Sequence, residues 1–355
     1  MTNLFNDIVS IEKQHKNYKL VRDTIGHSAA RTLLNEVYNS VKPIDKDFVV
    51  QFQSNGFDSR IWELSLLAAF QEQKFSIARA HERPDFELSK NDKKIFVEAV
   101  ISNPAFNEQI EDKMDVIKNI PKDGFEKFIY ELRNESTIRI AGALFNKLKK
   151  EYWKLDWVAG NPIILAVEPF HHSLSHWLSD SNLTGYLYGI ENNWHYDDNQ
   201  NLNIETFEIT EHKSTDKSIP SNFFNLKNSE YISAVIFSNS GTISKFNRMG
   251  KLKNYGNSDI EMIRIGNMYD HNPNASTPIP FQYMVGKDGP IENWAQGISM
   301  YHNPKAKYPI DRKMFPDFLH GYNDNGFYAY VPRFYPYQSE THIMIPEKYR
   351  NKDSR

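Results

Sequence analysis

The chain contains no cysteine, which excludes disulfides, Cys-ligated zinc and thiol nucleophiles. It has no apolar run of the length a membrane span requires. Its first residues, Met1 to Asp7, show no basic region followed by an apolar core, so no secretion signal is expected and the expected location is the cytoplasm. Charge of one sign is also scarce. A formal net charge of −3 over 355 residues gives no global basic field of the kind that drives non-specific DNA binding. Any nucleic-acid contact must therefore come from local basic patches or through metal. Gly-rich phosphate loops, Ser-His-Asp signatures, internal repeats and low-complexity tracts are likewise missing.

What remains is the composition of a folded protein, 40% hydrophobic and 25% charged, with 14% aromatics concentrated in the C-terminal half. The length suits one large domain or two ordinary ones. Residues 1–55 read as a polar, mostly helical segment. Asp58-Ser59 can cap a helix over about 60–74. Phe75 to Arg79 reads as a short strand. Asp85 to Leu88 and Lys93 to Ile101 read as a hairpin turning at Asn91-Asp92. Residues 105–133 are charged and irregular, read as a helix plus loops. A helix over 136–153 is expected from a cap at Ser136 or Thr137 and an apolar face of Ile140, Ala141, Leu144, Phe145 and Leu148. Pro162 to Val167 reads as a buried strand.

The order helix, strand, hairpin, helix, strand implies a mixed α/β (α+β) core, with a mixed central sheet flanked by helices. Residues 56–175 form that core in this reading, and 176–355 form an aromatic, strand- and loop-rich C-terminal extension or second domain. Tyr231 to Phe237, the clearest strand of the second half, can extend the first sheet or start a new one.

Three acids occupy three different contexts. Glu63 lies inside an apolar helical segment, Asp85 follows Pro84, and Glu98 lies in the apolar run Ile95-Phe96-Val97-Glu98-Ala99-Val100. Ionised acids are costly to bury without partners. A shared divalent cation would supply one.

A helix-borne Glu, then Pro-Asp, then Glu on the second strand of a hairpin resembles the PD-(D/E)XK nuclease superfamily, the restriction-endonuclease-like fold. The matching positions are Glu63, Pro84-Asp85 and Glu98, and the resemblance spans roughly residues 58–170. Longer segments, among them Phe96 to Val100, Ile219 to Phe224 and Phe246 to Gly250, resemble a bacterial family of uncertain role within that superfamily. The resemblance implies a metal-dependent nuclease acting on DNA or RNA, with defence against foreign nucleic acid as a setting. It implies Mg²⁺ or Mn²⁺, one or two ions, held by Asp85, Glu98 and the carbonyl of Ala99, with Glu63 binding a second ion or a water of the first. A homodimer or a protein partner is compatible with it. The alternative reading is a catalytically inactive nuclease-fold protein that binds nucleic acid or a partner protein.

The superfamily pattern places a lysine two residues after the strand glutamate, where this chain has Val100. A cation from a neighbouring element is then expected, from among Lys94, Lys113, Arg139 and Lys147. Lys94 lies roughly 13 Å along the strand from Glu98. Arg139, expected in the first turn of the helix after the hairpin, is the preferred stand-in and so the fourth candidate catalytic residue.

Other polar groups carry weaker signals. His171, His172 and His176, with Glu168 just before them, have metal-ligand spacing but are read as solvated loop histidines. His302 and His320 fall in aromatic, Pro-rich loops. Lys245, Arg248, Lys251 and Lys253, interleaved with Phe246 and Tyr255, could grip a nucleic-acid backbone, although a solvated loop is the preferred reading.

Overall fold

The computed structural model describes residues 2–41, 47–104, 110–121, 123–214 and 217–350, apart from the side chains of Asn182 and Arg350. Residues 105–109 of the expected irregular segment lie outside the described residues. The chain begins with helices α1 (Lys16–Asp23), α2 (Ser28–Asn39), α3 (Phe48–Gln53) and α4 (Phe57–Glu72). Strands β1 (Ser76–Ala78), β2 (Phe86–Lys90) and β3 (Lys93–Ser102) follow, then α5 (Lys113–Asn119), α6 (Phe125–Leu148) and β4 (Ile163–Pro169). The second half holds α7 (Ser181–Tyr188), β5 (Ile190–Tyr196), β6 (Leu202–Glu208), β7 (Glu211–Lys213), β8 (Ser218–Pro220), β9 (Ala234–Ser238) and α8 (Ile243–Leu252). The chain closes with β10 (Glu261–Met268), β11 (Ile279–Met284), β12 (Ile298–His302), β13 (Leu319–Asn323), β14 (Phe327–Tyr330), β15 (Pro336–Met344) and α9 (Glu347–Arg350).

The protein is a mixed α/β structure around an eight-stranded mixed sheet of order β1-β2-β3-β4-β9-β12-β13-β14. The expected hairpin is present: Asn91 and Asp92 both have positive φ, 52° and 59°, the two-residue turn whose twist matches its strands. β3, β4 and β9 run parallel, and their sequences read as near-continuous apolar runs because both faces of the sheet are covered. On one face Val97, Ala99, Ile164, Ala166 and Ile236 pack with Trp62, Leu66 and Phe70 of α4. On the other, Phe96, Val100, Leu165 and Val167 pack with Ile140, Leu144 and Leu148 of α6.

Tyr231 to Phe237 extends the first sheet. Its core is β9, which pairs with β4 on one side and β12 on the other. The sheet therefore continues across the boundary expected at residue 175. Leu33, Leu34, Phe48 and Phe52 of the N-terminal helices share the core of α4, so residues 1–55 pack as part of the same body. A three-stranded sheet of order β11-β10-β15 and the hairpins β5–β6 and β7–β8 lie outside the large sheet. Among the described residues, no helix is long and apolar enough to cross a membrane.

Two helix starts differ from expectation. α4 begins at Phe57 behind Gly56, so Asp58 and Ser59 lie in its first turn and do not precede it. α6 begins at Phe125, eleven residues before the expected cap. Ser136 and Thr137 are buried in mid-helix, where the Thr137 hydroxyl donates to the Arg133 carbonyl at 2.9 Å. A hydroxyl satisfied by the preceding turn does not end a helix. At 1.5 Å per residue, the earlier start adds about 16 Å to the helix.

Candidate active site

The β2–β3 register pairs Phe86 with Val97, so Asp85, one step before the ladder, faces Glu98. Asp85 Oδ2 accepts from the Ala99 amide at 2.7 Å. Alternation along β3 sends Glu98 to the α6 face with Phe96 and Val100. There Glu98, 5% exposed, meets α6 and the turn after it. Glu98 Oε1 accepts from Lys147 Nζ at 2.5 Å and from the Tyr152 hydroxyl at 2.7 Å. Glu98 Oε2 is buried and makes no hydrogen bond among the described residues.

Glu63 is 5% exposed on α4. Arg60, one turn earlier, donates to both of its oxygens at 3.0 and 2.8 Å, and Arg79 Nη2 lies 3.9 Å away. Arg60 in turn donates to Gln51 at 2.7 Å. The three acids feel one another. Burial, followed by the charges of Glu63 and Glu98, raises Asp85 well above the ordinary carboxylate range, against the opposing pull of the Ala99 N–H and Lys147. Burial, followed by the Glu98 charge, also raises the Tyr152 hydroxyl above its ordinary value, which keeps it a donor.

The cation at Glu98 is Lys147, and this corrects the preference for Arg139. Arg139 lies in the middle of α6 and pairs with Glu135 at 3.1 Å. Lys94 pairs across the hairpin with Glu87 at 2.6 Å, and Lys113 pairs with Glu340. The physical reason is position along α6. Lys147, on the same stripe as Ile140 and Leu144, lies over β3 at Glu98, and Arg139, eight residues earlier, stands about 12 Å away along the helix axis, lining the groove with Ser102 and Asn103 at the end of β3. Val100 is 2% exposed in the α6 layer and borders the groove that Lys147 lines.

Tyr152, Arg60 and Arg79 carried no role in the sequence reading. Arg60 had a signal, its i, i+3 spacing to Glu63. Tyr152 had none, since it lies 54 residues from Glu98.

Asp85 and Glu98 fit a divalent cation. Positive charge would offset the crowding that disfavours ionised Asp85 and would give the unpartnered Glu98 Oε2 a ligand. Glu63 as it stands fits less well, because Arg60 holds both its oxygens. Among the described residues, no group of three His, Asp or Glu side chains is arranged to hold a metal by itself. The Ala99 amide, through its bond to Asp85, is the observed backbone contact at the site.

Three other groups depart from expectation. His171, read as solvated, is 6% exposed and bonds the Ser102 hydroxyl at 2.8 Å. Burial, then Arg139 nearby, pushes its imidazole down to about 3. His302 and His320 face each other on β12 and β13, Nε2 to Nδ1 at 2.8 Å; they are buried and not loop residues. Lys245 and Arg248 belong to α8 and are 1% and 2% exposed, so these two are buried helix residues, whereas Lys253, just past the helix end, is exposed and pairs with Glu36 at 2.5 Å.

Compared with protein-family models, with curated proteins and with solved structures, the chain finds no match in any of the three.

Proposed function

We propose that the protein is a metal-dependent nuclease that hydrolyses phosphodiester bonds of DNA or RNA, built on a restriction-endonuclease-like core of α4, β1 to β3, α6 and β4. The observation that carries this reading is the position of Lys147. It bonds Glu98 at 2.5 Å, and it also lines a groove of about 1140 Å³ along α6 with Arg139, Lys213 and Lys217. A lysine at this place does the work that Val100 cannot. Glu131 and Glu135 share the groove, and Arg139 and Lys213 pair with Glu135 and Glu211.

Mg²⁺ or Mn²⁺ held by Asp85 and Glu98 would supply Lewis acidity to the phosphate and to water. The protein's own groups do the rest. The Ala99 amide fixes one Asp85 oxygen, and the Tyr152 hydroxyl fixes Glu98. The Lys147 ammonium stands between Glu98 and the groove, where it can donate to a phosphate oxygen. Glu63, held by Arg60, keeps a negative charge near Asp85. Arg139 serves as a groove contact in this arrangement.

One observation favours the second reading, an inactive nuclease-fold protein that binds nucleic acid: Lys147 already neutralises Glu98, and Arg60 already neutralises Glu63. Cleavage of end-labelled DNA and RNA with Mg²⁺ or Mn²⁺ separates the two. The nuclease reading expects wild type to cut, and Asp85→Asn and Glu98→Gln to lose cutting while staying folded. If wild type binds the strands and never cuts them, the second reading stands. If the variants cut like wild type, the acid assignment is wrong.

A further inference from the structure

The hairpin β5–β6 follows α7 directly and pairs with no other strand among the described residues. Residues 191–196 and 203–208 are all exposed. A lone two-stranded hairpin is marginal in water, and further strands with an apolar face are what normally hold one. This hairpin has such a face. Its register sets Asn192, Trp194 and Tyr196 on the same side as Thr206, Ile204 and Leu202. Trp194 is 55% exposed, Tyr196 41% and Ile204 62%. The segment 190–210 carries the acids Glu191, Asp197, Asp198, Glu205 and Glu208 and no Lys or Arg. That charge argues against nucleic acid or an anionic lipid surface as what covers the face.

The two edges of the hairpin differ. The Ile209 amide donates to the Gly189 carbonyl at 2.9 Å, and the Asp197 amide donates to the Asn201 carbonyl at 3.0 Å. Bonded and non-bonded pairs alternate along an antiparallel ladder, so Glu191, Asn193 and His195 direct their backbone groups to β6. The backbone groups of Asn192 and Trp194 therefore point outward from β5, and those of Leu202, Ile204 and Thr206 point outward from β6. The β6 edge is guarded. Asn274 Oδ1 takes the Leu202 amide at 3.2 Å, and Glu205 and Glu208 place two acids on that strand. Charges and a covering loop are devices that keep an edge from pairing. On the β5 edge the outward groups of Asn192 and Trp194 meet no other element's backbone among the described residues.

β5 is complementary to itself. A two-fold axis through Asn193, with the strands antiparallel, sets Asn192 of one copy opposite Trp194 of the other. These are the residues with outward backbone groups, so each such pair exchanges both of its N–H···O bonds. Glu191 then falls opposite His195 of the second copy, and the symmetry repeats the contact. That pair is of the non-bonded type, with Cα atoms about 4.5 Å apart and side chains close. The two Trp194 side chains meet on the diagonal, about 7–8 Å apart and within aromatic reach. The register that sets Trp194 opposite itself brings Glu191 against Asp197 of the second copy, and like charges directly opposite are destabilising.

We propose that the β5 edge pairs antiparallel with the β5 edge of a second copy of this chain, giving a four-stranded sheet that joins the apolar faces of the two hairpins. The pairing does not rest on the nuclease reading and is expected equally of Asp85→Asn. The test is sedimentation velocity of the full chain from about 1 to 100 µM. Wild type should be dimeric at the upper end and dissociate on dilution. Asn192→Pro removes an outward donor, spares the bonds to β6 and should raise the dimer Kd by about tenfold or more. Glu191→Lys and His195→Glu should each raise it by about tenfold, since each sets like charges opposite at both symmetric contacts. The two changes combined should restore wild-type dimerisation. Residues 191 and 195 lie about 13 Å apart along one strand, so such a rescue arises only between copies. All three positions are exposed, so the fold does not depend on them. A chain monomeric at about 100 µM, including one that captures nucleic acid or another protein through the hairpin, would overturn the proposal. So would a dimer insensitive to Asn192→Pro, or a combined variant as weak as either single change.

Discussion

Lys147→Met removes the ammonium that Glu98 holds at 2.5 Å and leaves the carboxylate 5% exposed with Tyr152 as its remaining donor. Stranding one member of a buried ion pair costs about 3–5 kcal/mol. The Lys147 side chain is 32% exposed, so water reaches the vacated position and the cost falls to about 2–3 kcal/mol. Glu98→Gln alone should cost about 1 kcal/mol, because its amide oxygen still accepts from Tyr152 and Lys147 can turn to solvent. The double variant strands no charge and should cost about 1 kcal/mol as well. The pair is therefore predicted to couple by about 2 kcal/mol. Urea denaturation of the four proteins at neutral pH in chelator gives each energy. Melting points should follow, with Lys147→Met lower by about 4–6 °C at about 2 °C per kcal/mol for a chain of this size. Costs that add to within about 0.5 kcal/mol, or a Lys147→Met variant as stable as wild type, would refute the placement of Lys147 on Glu98.

Asp85→Asn should raise the melting point at neutral pH. The folded Asp85 carboxyl lies above its ordinary range, so the stability it contributes is present at acid pH and lost as pH rises through its folded value. The melting-point difference between variant and wild type should widen as pH climbs from the ordinary aspartate range, and Mn²⁺ should raise wild type alone. Val100→Lys should lower stability by about 1–3 kcal/mol in denaturant titrations, since it forces a longer side chain into the packed α6 layer beside the groove. Equal stability would mean that the layer admits a lysine.

The parts of the fold that were legible in the sequence are those with local signals. Asn91-Asp92 and the alternation around it specified the β2–β3 hairpin, and the apolar runs specified β3, β4 and β9. The acids Glu63, Asp85 and Glu98 stood out because carboxylates in apolar contexts need partners, and the structure does bring them within electrostatic reach of one another. Lys147 was among the expected cations, and the preference for Arg139 followed from a misplaced helix start. Ser136 and Thr137 have the residue types of a cap, but tertiary packing continues the helix through them, so Arg139 is not in a first turn, and Lys147, about 12 Å further along the axis, is the residue that meets Glu98. Tyr152 and the α8 cations were hidden for another reason. Their partners are distant in sequence, as Lys245 shows by donating to the carbonyls of Trp294 and Gln296. Burial of such groups depends on the assembled fold and leaves no periodic trace.

Single-turnover cleavage of labelled DNA and RNA with Mn²⁺ tests the central claim most directly. The account predicts metal-dependent cutting by wild type, abolished by chelator and reduced by about 10²-fold or more in Asp85→Asn, Glu98→Gln and Lys147→Met. Cutting that survives in chelator, or at the wild-type rate in Asp85→Asn, would contradict it.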